Sequence, residues 1–338
     1  MILSKRIEAF IKLGQTIQKL DEETREELYW RSQNGNNWFT QESVSSAFEG
    51  LVSMLQEDKL KKWLGQYEIK EEVEPKSVGI LMAGNIPLVG FHDLMTVLIS
   101  GNKACLKLSS SDTFLMNWVI NQLIILEPEF ESLISVEEML KGKDAYIATG
   151  SDNSARYFNY YFGKYPSIIR QNRTSIAILS GEESSDDLRS LGEDIFKYFG
   201  LGCRNVSKIF VKSKDQLEYL LDAIEGYSSI ANHHKYHNNY EYNKSIYLVN
   251  NEAHFDNGFL LLKESTELVS PISVLYYETY DSKNDLLKKL ESLKGKIQCI
   301  VADSSFWVGG VPFGYAQQPE PWDYADDVDT LEFLIGLN

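Results

Sequence analysis

From Tyr67 onward, short apolar runs alternate with stretches of helical periodicity, and that alternation leaves few folds open. Residues 78–82, 104–108, 146–149 and 175–179 have the length and composition of buried strands. Between them, residues 91–99, 113–126 and 154–162 space their apolar side chains at helical intervals. Parallel strands need a crossover, usually a helix, so the pattern implies βαβ units and a parallel sheet. A second series follows Cys203, with strands expected near 208–211, 245–249, 273–277 and 297–302, and helices over 215–224 and 285–293. The expected fold is α/β, in two lobes.

Residues 1–65 read differently, as a helical layer. The run 43–64 brings Phe48, Leu51, Leu55 and Leu60 near one face. Trp30, Trp38 and Trp63 are expected to pack this layer onto the rest, with the lining of an acyl pocket as the sharper alternative. Leu3, Ile7, Phe10 and Ile17 recur among Lys5, Arg6, Glu8 and Lys12, which is an amphipathic helix rather than the continuous apolar centre of a signal peptide. No run approaches the ~20 apolar residues of a membrane span. A net charge of −16, spread along the 338 residues, argues against a nucleic-acid partner, which needs a basic footprint. The cysteines are Cys105, Cys203 and Cys299, too few for a disulfide framework, and a reducing cytoplasm is the expected setting.

Parallel sheets bind ligands beyond the carboxyl ends of their strands, and clefts between lobes are favoured sites. Several residues that carry chemistry fall at such positions. Cys203 lies in Gly200-Leu201-Gly202-Cys203-Arg204-Asn205, where glycines permit close approach of a ligand and Arg204 favours the thiolate. Its bland reading is a small packed residue; Cys105 and Cys299, inside apolar strands, read as inert packing. Asn85, in Ala83-Gly84-Asn85-Ile86-Pro87 after a strand, can donate towards an oxyanion or can simply make a turn. Lys107, at a strand end before Ser109, Ser110 and Ser111, suits ribose or phosphate oxygens, though a solvated lysine is the plain alternative. Thr149-Gly150-Ser151 suits a pyrophosphate at a helix N-terminus and equally an ordinary helix start. His233 and His237 share a helical face, but no third ligand accompanies them and no metal is expected.

In their order, these segments resemble the aldehyde dehydrogenase superfamily, and within it the acyl-CoA reductases of the bacterial luminescence (fatty acid reductase) type. The resemblance runs from about Tyr67 to Phe313. It implies an aldehyde dehydrogenase-like fold with a Rossmann-like nucleotide-binding domain over 67–171, a catalytic domain over 172–315, a helical segment over 1–66 and a tail over 316–338. Ala83-Gly84-Asn85-Ile86-Pro87 is similar to the family's Pro-Trp-Asn-Phe-Pro, which makes Asn85 and the Cys203 N–H the oxyanion donors. The stretch from Gly101-Asn102 to Leu106-Lys107-Leu108-Ser109 resembles the segment that holds the adenosine ribose, and Thr149-Gly150-Ser151 the turn beside the pyrophosphate. Glu267-Leu268-Val269-Ser270-Pro271-Ile272 is similar to Glu-Ile-Phe-Gly-Pro-Val, implying that Glu267 meets the nicotinamide ribose. Val311-Pro312-Phe313-Gly314 resembles a segment close to the active site.

Two departures sharpen the expectation. Where hydrolytic members carry a general base, this sequence reads Ile169-Arg170-Gln171-Asn172-Arg173, with an apolar residue at the base position. An acyl-enzyme would then survive for hydride, which favours reduction of an acyl-CoA or other acyl thioester to an aldehyde. Ser110 stands near the place where NAD-specific members carry an acidic residue, which favours NADPH over NADH. A Cys203-dependent thioesterase or acyltransferase, and a non-catalytic nucleotide-binding member, are the alternatives. The stretch 67–78 is expected to form a protruding hairpin and 331–335 a pairing strand, which together imply a homodimer.

Overall fold

The computed structural model describes residues 1–150 and 152–337, with side chains described outside 152–155. The chain divides into two compact units, residues 1–172 with 319–338, and residues 173–318.

The first unit opens with α1 (Leu3–Gln18), α2 (Glu22–Gly35), α3 (Gln41–Met54) and α4 (Glu57–Leu64). Asp21 and Thr40 cap α2 and α3 by accepting the N–H groups of Thr24 and Ser43, at 2.8 and 3.2 Å. Helix α1 buries Ala9, Phe10, Leu13 and Ile17 at the spacing of one helical face. These helices share one apolar core with the sheet that follows, and Trp63 is wholly inside it. Trp30, expected to pack, is 68% exposed.

The sheet comprises β1 (Ser77–Leu81), β2 (Lys103–Lys107), β3 (Ile134–Val136), β4 (Ala145–Thr149) and β5 (Ser167–Arg170), in the order β3-β2-β1-β4-β5. Every pairing is parallel. Helices α5 (Phe91–Ile99), α6 (Thr113–Leu126) and α7 (Asp152–Phe162) lie between the strands in sequence. Covered parallel strands read as unbroken apolar runs rather than alternating ones, which is why the three strands expected here, 78–82, 104–108 and 146–149, fall within a residue of β1, β2 and β4.

Buried polar groups tie this unit together. The Arg6 guanidinium, fully buried, donates to the Ile99 carbonyl at the end of α5 and to the Lys70 and Glu71 carbonyls. Gly101 is left-handed, and a Cβ there would stand 2.4 Å from the Arg6 guanidinium, so the position requires glycine. The Asn102 amide accepts the Lys76 N–H before β1 and donates to the Leu334 carbonyl. Arg170, at the end of β5, donates to both carboxylate oxygens of Asp93 at 2.8 and 2.7 Å and to the Thr330 hydroxyl.

The second unit contains β6 (Thr174–Ile178), α8 (Ser185–Phe196), β7 (Val206–Val211), α9 (Asp215–Ala223), α10 (His234–Val249), β8 (His254–Asp256), β9 (Leu261–Glu264), β10 (Val274–Thr279), α11 (Lys283–Ser292) and β11 (Ile297–Val301). Its sheet runs β11-β6-β7-β10-β9-β8, parallel except for β8 against β9.

Three expectations need correction. Residues 245–249 are the end of α10 rather than a strand. Tyr236, Tyr240, Asn243 and Tyr247 form its buried face, while Leu248 and Val249 are exposed, so the apolar run misled when taken alone. Residues 331–335 are helical (Thr330–Ile335), capped by Asp329 and buried through Leu331 and Leu334. Residues 67–76 contain no strand, and hence no hairpin. The last twenty residues return to the first unit, where Tyr324 accepts the Trp63 indole N–H at 2.8 Å.

Breaking a buried ion pair leaves an uncompensated charge. Asp93→Ala is therefore expected to lower the unfolding free energy by about 3–5 kcal/mol in urea titrations. The paired change Asp93→Leu with Arg170→Leu should cost less.

Candidate functional site

Each unit gathers its own set of candidate residues. In the first, β2 and β3 extend to one side of β1 and β4 and β5 to the other, so the loops leaving β1 and β4 diverge at a topological switch point. Leu81 is in register with both Lys107 and Ala148, which brings the ends of β1, β2 and β4 onto one edge. Asn85 follows β1 and is exposed, as are Lys107 at the end of β2 and Ser110 just beyond it. Gly150 follows β4, half-buried, its N–H donating to the Arg170 carbonyl; Ser151 lies outside the described residues.

The turn carrying Asn85 is clasped against the turn after β2. A Cβ on Gly84 would stand 2.4 Å from the Ser109 hydroxyl, so the close approach depends on glycine. Asp112, 3% exposed, accepts the Leu88 N–H at 2.7 Å, and Leu88 itself is left-handed with φ of 59°. Burial pushes the Asp112 carboxyl up to about 7, opposed by the Leu88 hydrogen bond. The exposed lysine and serine at the strand ends carry the donors that ribose and phosphate oxygens take.

In the second unit Cys203 is exposed, between the end of α8 and the start of β7. The chain reaches it through consecutive left-handed residues, Tyr198, Phe199 and Gly200, with φ of 54°, 59° and 76°. For Tyr198 and Phe199 that conformation costs roughly 1–2 kcal/mol each. The Asn205 side chain, 2% exposed, holds it in place. Its amide donates to the carbonyls of Asp194, Ile195 and Lys197 at 3.1, 3.4 and 2.8 Å, and its oxygen accepts the Gly202 N–H at 2.8 Å. Helix-end carbonyls and the loop are thus satisfied together. The Ser175 hydroxyl donates to the Cys203 carbonyl at 3.1 Å.

Cys299 packs against the apolar core of this unit and is hydrogen-bonded as well. Its Sγ lies 2.9 Å from the Ser175 hydroxyl, and burial pushes its thiol up against the pull of Arg204 and that hydrogen bond. Cys105 is buried beside Leu140 and Tyr146, as a packing residue should be. Phe313 is 8% exposed, its ring in the apolar core; the backbone after it is anchored by Asp194, which accepts the Gly314 and Ala316 N–H groups at 2.6 and 2.8 Å. Glu267 is exposed in the connection between β9 and β10, and the adjacent Leu268 carbonyl accepts the Ser207 hydroxyl at 2.8 Å. A small recess is lined by Phe199 and Gly200 from the cysteine loop together with Ser270, Pro271 and Ile272. The two motifs therefore meet within this unit. His233 is the N-cap of α10, accepting the Tyr236 N–H, and its ring packs against Phe199, tilted by 37° with centroids 4.4 Å apart.

The sequence named Cys203 and Asn85 but not Asn205, Asp194, Ser175 or Asp112. An Asn shortly after a helix end was the one available signal. For Asp194 there was none, since its partners lie about 120 residues away.

Burial raises the Asp194 carboxyl from 3.8 to about 6, so the folded protein binds that proton more tightly than the unfolded chain. Its contribution is complete below the unfolded value and is lost as pH rises through the folded one. Asp194→Asn should remove up to ~3 kcal/mol of the stability lost between pH 4 and pH 6. Urea midpoints of the two proteins across that window check this.

Residues 4–221 match the family model described as acyl-CoA reductase (LuxC). A long-chain acyl-protein thioester reductase of Aliivibrio fischeri is 23% identical over 186 residues, covering 49% of this chain and 38% of that protein. One from Photorhabdus laumondii is 23% identical over 181 residues, covering 48% of this chain and 38% of its own length. The matches thus span well under half of these relatives. An Escherichia coli NADP-dependent enzyme superposes with a TM-score of 0.66 at 10% identity, over 89% of this chain and 73% of its own. A Mycobacterium tuberculosis aldehyde dehydrogenase complexed with NAD+ gives 0.63 at 13% identity, over 89% and 73%. These likenesses establish an aldehyde dehydrogenase-like fold. With the family match covering most of its length, the chain belongs to the acyl-CoA reductase (LuxC) family.

Proposed function

We propose that the chain reduces an acyl thioester to the aldehyde, using NADPH or NADH and an acyl group carried on Cys203. The observation that carries this is an exposed thiol at the tip of a loop whose backbone is fixed on both sides, by Asn205 and by Ser175. A nucleophile needs that combination of access and restraint.

In this reading the Cys203 thiolate attacks the thioester carbonyl and expels the carrier thiol, leaving an acyl-enzyme. The Asn85 amide and the Cys203 N–H donate to the tetrahedral oxyanion. Lys107 and Ser110 would hold the adenosine ribose, Gly150 and Ser151 the pyrophosphate, and Glu267 the nicotinamide ribose. Phe313, proposed from the sequence as a cofactor contact, would act through the backbone after it, which Asp194 anchors. When bound, the nucleotide supplies hydride. Ser110 presents no like charge to a 2′-phosphate, which favours NADPH. No carboxylate stands at Ile169, and Arg170 beside it is committed to Asp93, so the segment offers no base to activate water. The acyl-enzyme is therefore kept for reduction.

Acyl-CoA and acyl-protein thioesters share the chemistry that Cys203 would attack, and we take acyl-CoA as the substrate to test first. A cytoplasmic homodimer stays part of the proposal, although the hairpin and pairing strand that suggested it do not form; sedimentation would check the mass. Purified protein with a panel of acyl-CoAs should consume NADPH and release aldehyde. Cys203→Ser should abolish turnover, and Asn85→Ala should lower kcat about 10²–10³-fold. Thioester cleavage with no nucleotide consumed would favour a thioesterase instead.

A further inference from the structure

We propose that Asp112 is a positioning residue, its carboxylate holding the turn that carries Asn85 and its protonation loosening that turn. The inference rests on the reading of Asn85 as an oxyanion donor.

Asp112 is not an ordinary start to a helix. It precedes α6 without capping it, since its side chain accepts no N–H from that helix. One oxygen, Oδ2, reaches back across the sheet edge to the Leu88 N–H at 2.7 Å. The other, Oδ1, is buried and has no hydrogen-bond partner among the described residues. A buried acceptor left without a partner is destabilising, so simple stability would favour a different residue here.

The bond serves a strained turn. Leu88 has φ of 59°, a conformation that a branched side chain adopts only where its surroundings enforce it. It stands three residues after Asn85, while Gly84, one residue before Asn85, packs against Ser109 and Asp112. Asn85 is therefore bracketed by the two places where its turn meets the Asp112 turn. A hydrogen bond to an ionised acceptor is about twice as strong as one to a neutral acceptor. Loss of charge on Asp112 weakens its grip on Leu88.

The setting allows that charge to change near neutrality. The groups that face Asp112 are neutral: the Gly84 backbone, the Ser109 side chain and the Leu88 N–H. Among the described residues no charged side chain contributes to its ionisation; burial drives the proton on and the Leu88 N–H drives it off.

The test compares wild type, Asp112→Asn and Asp112→Leu. Asparagine keeps a neutral acceptor for Leu88 and leucine keeps only bulk. Amide exchange at Leu88, corrected for intrinsic rate, should slow in the wild type between pH 6 and pH 8, stay level in Asp112→Asn and be fastest in Asp112→Leu. With acyl-CoA and NADPH, the wild-type kcat should rise about 10-fold over that window, following the strengthened bond. Asp112→Asn should lose that rise, with KM for both substrates within about twofold, since the turn positions a donor rather than binding substrate. An Asp112→Asn profile and Leu88 exchange that both follow the wild type would overturn the proposal. If the wild type reduces no thioester, the proposed function fails, and Leu88 exchange still decides whether Asp112 controls the turn.

Discussion

A helix that stops short of the next strand leaves carbonyls without partners, and at the end of α8 the Asn205 side chain supplies them. The same side chain accepts the Gly202 N–H, so it fixes the loop between helix and strand as well as closing the helix. Tyr198 and Phe199 are left-handed despite having side chains, and such a path persists only when the surroundings determine it. The Asn205 side chain, Ser175 bonded to the Cys203 carbonyl and His233 packed against Phe199 together do so. Everything chemical in the second unit follows from this arrangement, because it leaves one thiol both exposed and backbone-restrained.

The first unit solves a different problem by topology. Its strand order makes the loops after β1 and β4 part company, and the in-register strand ends put Asn85, Lys107, Ser110 and Gly150 along one edge. Glycine at 84 then lets the turns after β1 and β2 approach more closely than a side chain would permit. Backbone geometry, rather than a glycine-rich phosphate fingerprint, shapes this edge. That is why the loop sequences look unremarkable singly and informative only in order.

Much of this was legible in the residues. Buried parallel strands announce themselves as short apolar runs, and helices α5 and α6 were found at their observed limits. Residues 245–249 failed because four apolar-looking residues at the end of a longer helix carry no period of their own. Residues 331–335 failed for the same reason of length. Cys203 and Asn85 could be named from type, neighbours and family resemblance. Asn205, Asp194 and Asp112 could not, because each takes its role from partners brought near only by the fold. Trp30 shows the converse, a bulky residue whose type suggests burial and whose place on its helix leaves it exposed.

The decisive question is whether an acyl group rests on that sulfur. Incubating the protein with an acyl-CoA in the absence of nucleotide and digesting it for mass spectrometry should find the acyl mass on the peptide containing Cys203. Addition of NADPH should remove that mass and release the aldehyde. An unmodified Cys203, with acyl label elsewhere or nowhere, would contradict the covalent route.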